Sequence, residues 1–338
     1  MFRPATYYAD EQIELISGHH VTAIDRPAKQ VVIDGHDPLS YDHLVIATGS
    51  VPRKLPVPGG DLEGVLNLAT ASDASELRGR IADARNVVVI GGGFIGLESA
   101  AMAASAGKQV VVFEVGNRLM ARAVSQPMSR YFENVHRAGG VDLRLGTGVT
   151  AVEGRDDRVT SVVASDGTKV DADLVVVGIG ADANDSLAAR SGLATDRGIL
   201  VDEFLKTTDP DISAVGDCAR YPILGSDGTP PILTRLESVQ NATDQARYIA
   251  HQIIEDYSEP YRAVPWFWTE QFGRKLQIAG LVEGHTRSVQ ESVDPDKFSI
   301  HCFADETLLG TESVNAPRDH MAARKKLTTR LKEESKAR

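Results

Sequence analysis

Only two cysteines, Cys218 and Cys302, occur in 338 residues, and they stand far apart. So sparse a supply excludes a disulfide scaffold, a zinc ribbon and a cysteine-ligated iron–sulfur cluster. It makes a reducing cytoplasm the expected compartment. No run approaches the roughly 18 apolar residues of a membrane span. The opening MFRPATYYADEQ lacks the charged-then-apolar order of a secretory signal. Positive charge is short too: 36 Lys and Arg face 47 Asp and Glu, a net charge of −11. That disfavours general nucleic-acid binding and leaves room for a local basic patch. G-x-S-x-G, H-E-x-x-H and a Walker lysine are missing, so those chemistries have no motif to rest on. His19 and His20 read as a surface pair, with nothing nearby to complete a metal site.

What is present is an ordinary globular composition, 42% apolar and 25% charged, over a length that suits two or three domains. Short strands are expected at 13–17, 21–24 and 31–34, followed by YDHLVIATGS (41–50). The Pro- and Gly-rich VPRKLPVPGGDLEG (51–64) reads as a connecting segment. A helix over 72–84, capped by Ser72 or Asp73, then leads into the buried strand VVVI (87–90). A small-residue helix (94–107), a strand (109–114) and a helix (125–140) follow, then strands near 141–145, 148–153, 159–164 and 173–177. Strand, helix and strand in short order imply a parallel sheet. DLVVVGIG (173–180) echoes DHLVIATG (42–49), as if the chain leaves one domain and returns to it. Beyond lie a short helix (184–191), DISAVGD (211–217), a long helix within 237–256, and a tail with two Trp, alternating strands and a terminal helix.

Gly91-Gly92-Gly93-Phe94-Ile95-Gly96 fits G-x-G-x-x-G, and it follows a strand and opens a helix, the context that gives the string meaning. In such a turn Gly91 makes the sharp bend, Gly93 lets a pyrophosphate approach the backbone and Gly96 lets helix and strand pack closely. The helix N-terminus supplies N–H groups and a positive dipole end. Glu114 ends the next strand, placed to accept from a ribose diol and to repel a 2′-phosphate, which favours NADH over NADPH. Arg118 and Arg122 compete with that reading, since either is able to fold back onto a phosphate.

GGGFIGLE (91–98), ATGSVPR (47–53), TTDPDISAVGDCA (207–219), RLESVQNATDQAR (235–247) and PWFWTEQF (265–272) together resemble the FAD-dependent ferredoxin reductases. These are the putidaredoxin, rhodocoxin and rubredoxin reductase type of the FAD pyridine-nucleotide oxidoreductases. The likeness covers nearly the whole chain. It implies an α/β fold of two Rossmann-like domains, the NAD domain inserted in the FAD domain, plus a C-terminal α+β interface domain. The boundaries it suggests are 1–68 and 182–262 for FAD, 69–181 for NAD and 263–338 for the interface. It implies FAD and NADH as cofactors and a ferredoxin or rubredoxin as partner, serving a P450 or a Rieske-type oxygenase. By this similarity Val21, Ala47, Thr48, Gly49, Arg53, Asp217 and Val239 belong to the FAD site, and Gly180 joins the glycine turn and Glu114 in the NAD site. Glu98 lies near the nicotinamide, and Trp266 or Trp268 borders the flavin ring. No acid–base pair is implied.

Two departures from the family pattern are expected to matter. The family's own first G-x-G-x-x-G unit, which holds the FAD pyrophosphate, has no counterpart here, so residues 1–338 alone are expected to hold FAD weakly. Ala69 stands where the family often has an arginine on FAD, and Arg53 is the substitute at hand. Three other readings stay open: a disulfide reductase, although residues 70–180 contain no cysteine; an NADH oxidase or coenzyme A disulfide reductase; and an NAD-binding protein without flavin activity.

Overall fold

The computed structural model describes residues 3–223, 232–255, 257 and 259–336. A short helix α1 (Ala5–Asp10) precedes an antiparallel meander of β1 (Val21–Asp25), β2 (Gln30–Ile33) and β3 (Leu39–Ser40). The strand expected at 13–17 does not form. Ile13 and Leu15 are each 47% exposed, and an apolar run becomes a strand only where a neighbouring strand takes its hydrogen bonds.

Two strands, β4 (Leu44–Ile46) and β5 (Ser50–Pro52), lead to the central unit. It comprises β6 (Val65–Asn67), α2 (Ala71–Asp83), β7 (Asn86–Ile90), α3 (Phe94–Ser105), β8 (Gln109–Glu114), α4 (Gln126–Ala138) and β9 (Asp142–Leu145). Antiparallel strands β10 (Val149–Arg155), β11 (Arg158–Ala164) and β12 (Lys169–Asp171) follow, and β13 (Leu174–Val177) closes it. The parallel sheet runs β6-β13-β7-β8-β9. Its strands read as unbroken Val and Ile because both faces are covered. Val87 and Val89 face Leu77, Leu97 and Phe132 of the helices. Val88 and Ile90 face Val152 and Val162 of the antiparallel strands. The helix expected at 72–84 begins one residue earlier and is capped differently. Thr70 is the N-cap, accepting from Asp73 N, while the Asp73 carboxylate accepts from Thr70 N at 2.8 Å and Ala69 N at 3.0 Å. This is a reciprocal capping box, which holds the Asp73 carboxyl below its usual range.

The chain returns through β14 (Ala181–Ala183), antiparallel to β5, with Ala181 opposite Pro52 and Ala183 opposite Ser50. There follow α5 (Ser186–Arg190), β15 (Ile199–Leu200), β16 (Ile212–Ala214), a 3-10 turn at Gly216–Cys218, β17 (Ala219–Ile223), β18 (Ile232–Thr234) and α6 (Val239–Glu255). β16 pairs in parallel with β4, over a second core of Ile46, Leu205, Ile212 and Ile249.

The last part is a five-stranded antiparallel sheet of β19 (Trp266–Gln271), β20 (Arg274–Gly280), β21 (Arg287–Asp294), β22 (Lys297–Ala304) and β23 (Thr307–Val314). Helix α7 (Pro317–Lys336) covers one face through Ala323 and Leu327. The other face presents Leu276, Ile300 and Val314 to the core that holds Leu97 and Phe132. On that face the wholly buried Glu312 reaches Ser125, the N-cap of α4, accepting from its N at 2.7 Å and its Oγ at 2.5 Å. Among the described residues no helix is long and apolar enough to cross a membrane.

Candidate dinucleotide and flavin sites

The three motif glycines do three different things. Gly91 has φ +109, and a Cβ on it would lie 2.3 Å from Gly178 O. A Cβ on Gly96 would lie 2.1 Å from Gly91 O. Both positions are closed by backbone, so they are demanded by packing. Gly93, the N-cap of α3, is different: its nearest neighbour would be Gly178 O at 4.0 Å. No side chain caps this helix, and no acidic residue lies in its first turn. A helix leaves its first-turn N–H groups without internal partners, and the space over Gly93 at the start of this one is open. A diphosphate fits such a cradle.

Glu114 closes the neighbouring edge. Its Oε2 accepts from Gly92 N and its Oε1 from Gly116 N, both at 2.6 Å. The carboxylate therefore ties the glycine turn to the segment after β8, in addition to the ribose role expected of it. Met120 N donates to Gly92 O at 2.9 Å on the same segment. Gly180, just past β13, has φ +103, so an L side chain is strained there. Arg118 does not fold onto a phosphate: its guanidinium is held by Val124 O and Ser129 Oγ, each at 2.8 Å, and by Ala121 O.

The residues expected at a flavin gather at the C-terminal ends of β4 and β16, which are parallel neighbours. Asp217 Oδ2 accepts from Ser50 Oγ at 3.0 Å, and Asp217 O accepts from Arg235 Nη1 at 3.2 Å. Gly216 N donates to Gln245 Oε1 of α6 at 2.7 Å. Thr48 Oγ1 donates to Asn184 O at 2.5 Å, and Asn184 N to Gly49 O at 2.9 Å. Gly49 has φ +69 and open space where a Cβ would be. Val239 begins α6 at 60% exposure, Ala47 is exposed, and Val21 lies apart on the β1 meander. Ends of parallel strands carrying a glycine bend and a carboxylate fit the ribityl side of a flavin. Arg53 is paired with Asp182 at 2.7 Å across the β5–β14 ribbon, which raises its pKa.

Glu98, on α3, is drawn toward the C-terminal sheet. Its Oε1 accepts from Thr269 Oγ1 at 2.5 Å and from Glu270 N at 3.3 Å. Phe94 packs on Phe267 beside it, with ring centroids 4.4 Å apart. Behind Thr269 runs a buried chain that sequence reasoning missed. Gln271 Nε2 donates to Thr269 Oγ1 at 3.1 Å, and Gln271 Oε1 takes the His136 Nε2 proton at 2.8 Å. Burial lowers the His136 pKa and keeps the ring neutral. Trp266 and Trp268 lie on the opposite face of β19, 5.4 Å apart, with Arg324 of α7 stacked 4.6 Å over Trp266. Neither cysteine is a candidate nucleophile. Both are buried, and burial first, then Glu312, pushes the Cys302 thiol up to about 12.

A glycine turn over a parallel sheet, joined to a second strand-end site and a separate antiparallel sheet, defines a nucleotide-dependent flavoprotein oxidoreductase. Residues 5–246 match the pyridine nucleotide-disulphide oxidoreductase family, and residues 266–337 match the family described as reductase C-terminal. The chain belongs to the pyridine nucleotide-disulphide oxidoreductases, within their ferredoxin reductase group. It is 52% identical to rhodocoxin reductase of Rhodococcus erythropolis over 330 residues, 97% of this chain and 76% of that one. It is 40% identical to a putidaredoxin reductase of Pseudomonas putida, over 96% of this chain and 77% of the relative. The crystal structure of a Rhodopseudomonas palustris ferredoxin reductase superposes with a TM-score of 0.90 at 44% identity, covering 95% of this chain and 78% of the other. A covalent putidaredoxin reductase–putidaredoxin complex matches with a TM-score of 0.89 at 39% identity, over 96% and 78%.

Proposed function

We propose that this chain takes electrons from NADH and delivers them, through FAD, to a ferredoxin or rubredoxin that serves a P450 or Rieske-type oxygenase. The observation that carries this reading is Gly93: it is the one motif glycine that faces open space, under an uncapped helix end. FAD, when bound, supplies the conversion of a two-electron hydride into single electrons. The chain's own residues bind and orient. The α3 N-terminus holds the pyrophosphate, and Glu114 takes the adenosine ribose. Glu98, fixed by Thr269, borders the nicotinamide. Asp217, Thr48, Gly49, Val239 and Ala47 would hold the flavin, with Trp268 or Trp266 at its edge, and Val21 would reach it only from the separate β1 meander. We divide the chain as 1–68 and 182–262 for FAD, 69–181 for NAD and 263–338 for the interface, a reading supported by the β5–β14 ribbon. The buried cysteines argue against disulfide chemistry by these residues. The test is NADH-driven reduction of ferricyanide and of a two-iron ferredoxin by FAD-loaded protein. Turnover with both supports the reading, and ferricyanide reduction without any ferredoxin reduction favours an NADH oxidase instead.

A further inference from the structure

Arg118 and Arg122 belong to one turn, and the structure separates them. Arg118 is consumed in folding the segment after β8. Met120 N anchors that segment to Gly92 O at 2.9 Å, and Ala123 N and Val124 N close a turn on Met120 O at 2.9 and 3.2 Å. Arg122 stands exposed on this anchored turn. No carboxylate or carbonyl among the described residues takes its guanidinium. Its Nη2 lies 3.7 Å from where a Cβ on Gly180 would be, and Arg53 Nη1 lies 3.8 Å from the same point. Arg53 has its counter-ion in Asp182.

The direction of this reach is informative. The turn leaves the end of β8, Gly180 follows β13, and β7 lies between them in the sheet. Arg122 therefore reaches from the segment after β8 to Gly180 just past the end of β13, on the far side of β7, two residues past Gly178, whose O lies beside Gly91 and Gly93. An uncompensated guanidinium on the same strand-end rim as an uncapped helix N-terminus offers a planar fork to an anion seated on that helix end.

We propose that Arg122 is the clamp that closes over the pyrophosphate of the bound dinucleotide. The proposal rests on reading residues 91–96 as the NADH site. It also resolves the competition between Glu114 and a nearby arginine: Arg122 reaches toward the β13 side and reads the diphosphate, leaving the ribose at the end of β8 to Glu114.

The test is calorimetric titration of the full chain with NAD⁺, ADP-ribose and NADP⁺, comparing the parent with Arg122→Ala, Arg122→Lys and Gly93→Ala. An exposed, unpartnered side chain carries no folding role, so matched melting curves are expected for the Arg122 variants. Arg122→Ala is expected to weaken NAD⁺ and ADP-ribose alike, on the order of tenfold, the loss of one charge-assisted contact. Arg122→Lys is expected to recover part, since a point charge replaces the fork. Unchanged NAD⁺ and ADP-ribose affinity in Arg122→Ala, or a loss confined to NADP⁺, overturns the clamp. If Gly93→Ala weakens NAD⁺ while Arg122→Ala does not, the clamp alone fails. If neither substitution weakens NAD⁺, the nucleotide-site reading fails with it.

Discussion

Three glycines separated by two and three positions should respond to one added methyl in opposite ways. At Gly96 a Cβ would sit 2.1 Å from Gly91 O, and at Gly91 2.3 Å from Gly178 O. Neither obstacle is a flexible side chain, so the backbone must move, at a cost of about 1–3 kcal/mol or more for overpacking. At about 2.1 cal/mol/K of unfolding entropy per residue, each kcal/mol shifts the Tm of a chain of this size by roughly 1.4 °C. Gly96→Ala is therefore expected to lower Tm by about 1.5–4 °C or more. At Gly93 the methyl meets nothing closer than 4.0 Å, at φ −85 and ψ −176, an extended conformation open to alanine. The less favourable alanine N-cap costs about 0.5–1 kcal/mol, and the stiffer unfolded chain returns about 0.4–1. Gly93→Ala should keep Tm within about 1 °C of the parent. The methyl occupies the space through which phosphate oxygens approach the α3 N–H groups. Losing one such charged hydrogen bond costs about 1.5–3 kcal/mol, so NAD⁺ affinity should fall on the order of ten- to a hundredfold. Paired thermal melts and NAD⁺ titrations read both quantities. If Gly93→Ala binds NAD⁺ like the parent, the diphosphate does not pass over Gly93.

Glu114, His320 and the exposed cations of α7 give three further outcomes to check. Glu114→Arg should gain NADPH use but lose more NADH efficiency than it gains, because it also releases Gly92 N and Gly116 N, each now held at 2.6 Å; initial rates with both nucleotides check this. His320 is 1% exposed with both ring nitrogens unpartnered, and burial, then Arg324 and Lys275, push its pKa down to about 4. The unfolded ring gains its proton near pH 6.5, so stability is lost as pH falls from about 6.5 toward 4; His320→Phe should flatten Tm against pH in that window, and an unchanged slope would count against it. On α7, Arg318, Lys325 and Lys326 are exposed, while Arg324 is stacked on Trp266 and Arg274 is paired with Asp296 at 2.6 Å. If this basic face steers an acidic ferredoxin, reversing those three exposed cations to Glu should raise the ferredoxin KM several-fold and leave the NADH KM alone, with a salt effect that the reversal abolishes.

The parts legible in the sequence were those written in local pattern. The Val-rich strands of the parallel sheet, the strand–glycine–helix order at 86–105 and the echo at 42–49 and 173–180 each follow from neighbours in the chain, and the sheet and the ribbon form there. Capping was legible only in part: Asp73 was in view, but the hydroxyl of Thr70 takes the N-cap because it lies three residues ahead of Asp73 N. The run at 13–17 failed because a strand depends on a partner that its own residues do not reveal. Contacts between distant residues left no sequence signal. Glu98 meets Thr269, His136 meets Gln271, and Ser125 meets Glu312, in each case joining the central unit to the C-terminal sheet. Arg118 and Arg122, equivalent as cations in the sequence, were separated only by where their guanidinium groups end.

On the proposed path electrons enter at the glycine turn and leave through a flavin. Anaerobic mixing of FAD-loaded protein with one equivalent of NADH tests it most directly, followed at the long-wavelength flavin absorbance band. Stoichiometric bleaching by NADH is expected, with much slower bleaching by NADPH and recovery of the colour when oxidised ferredoxin is added. Flavin that stays oxidised in the presence of bound NADH would contradict it.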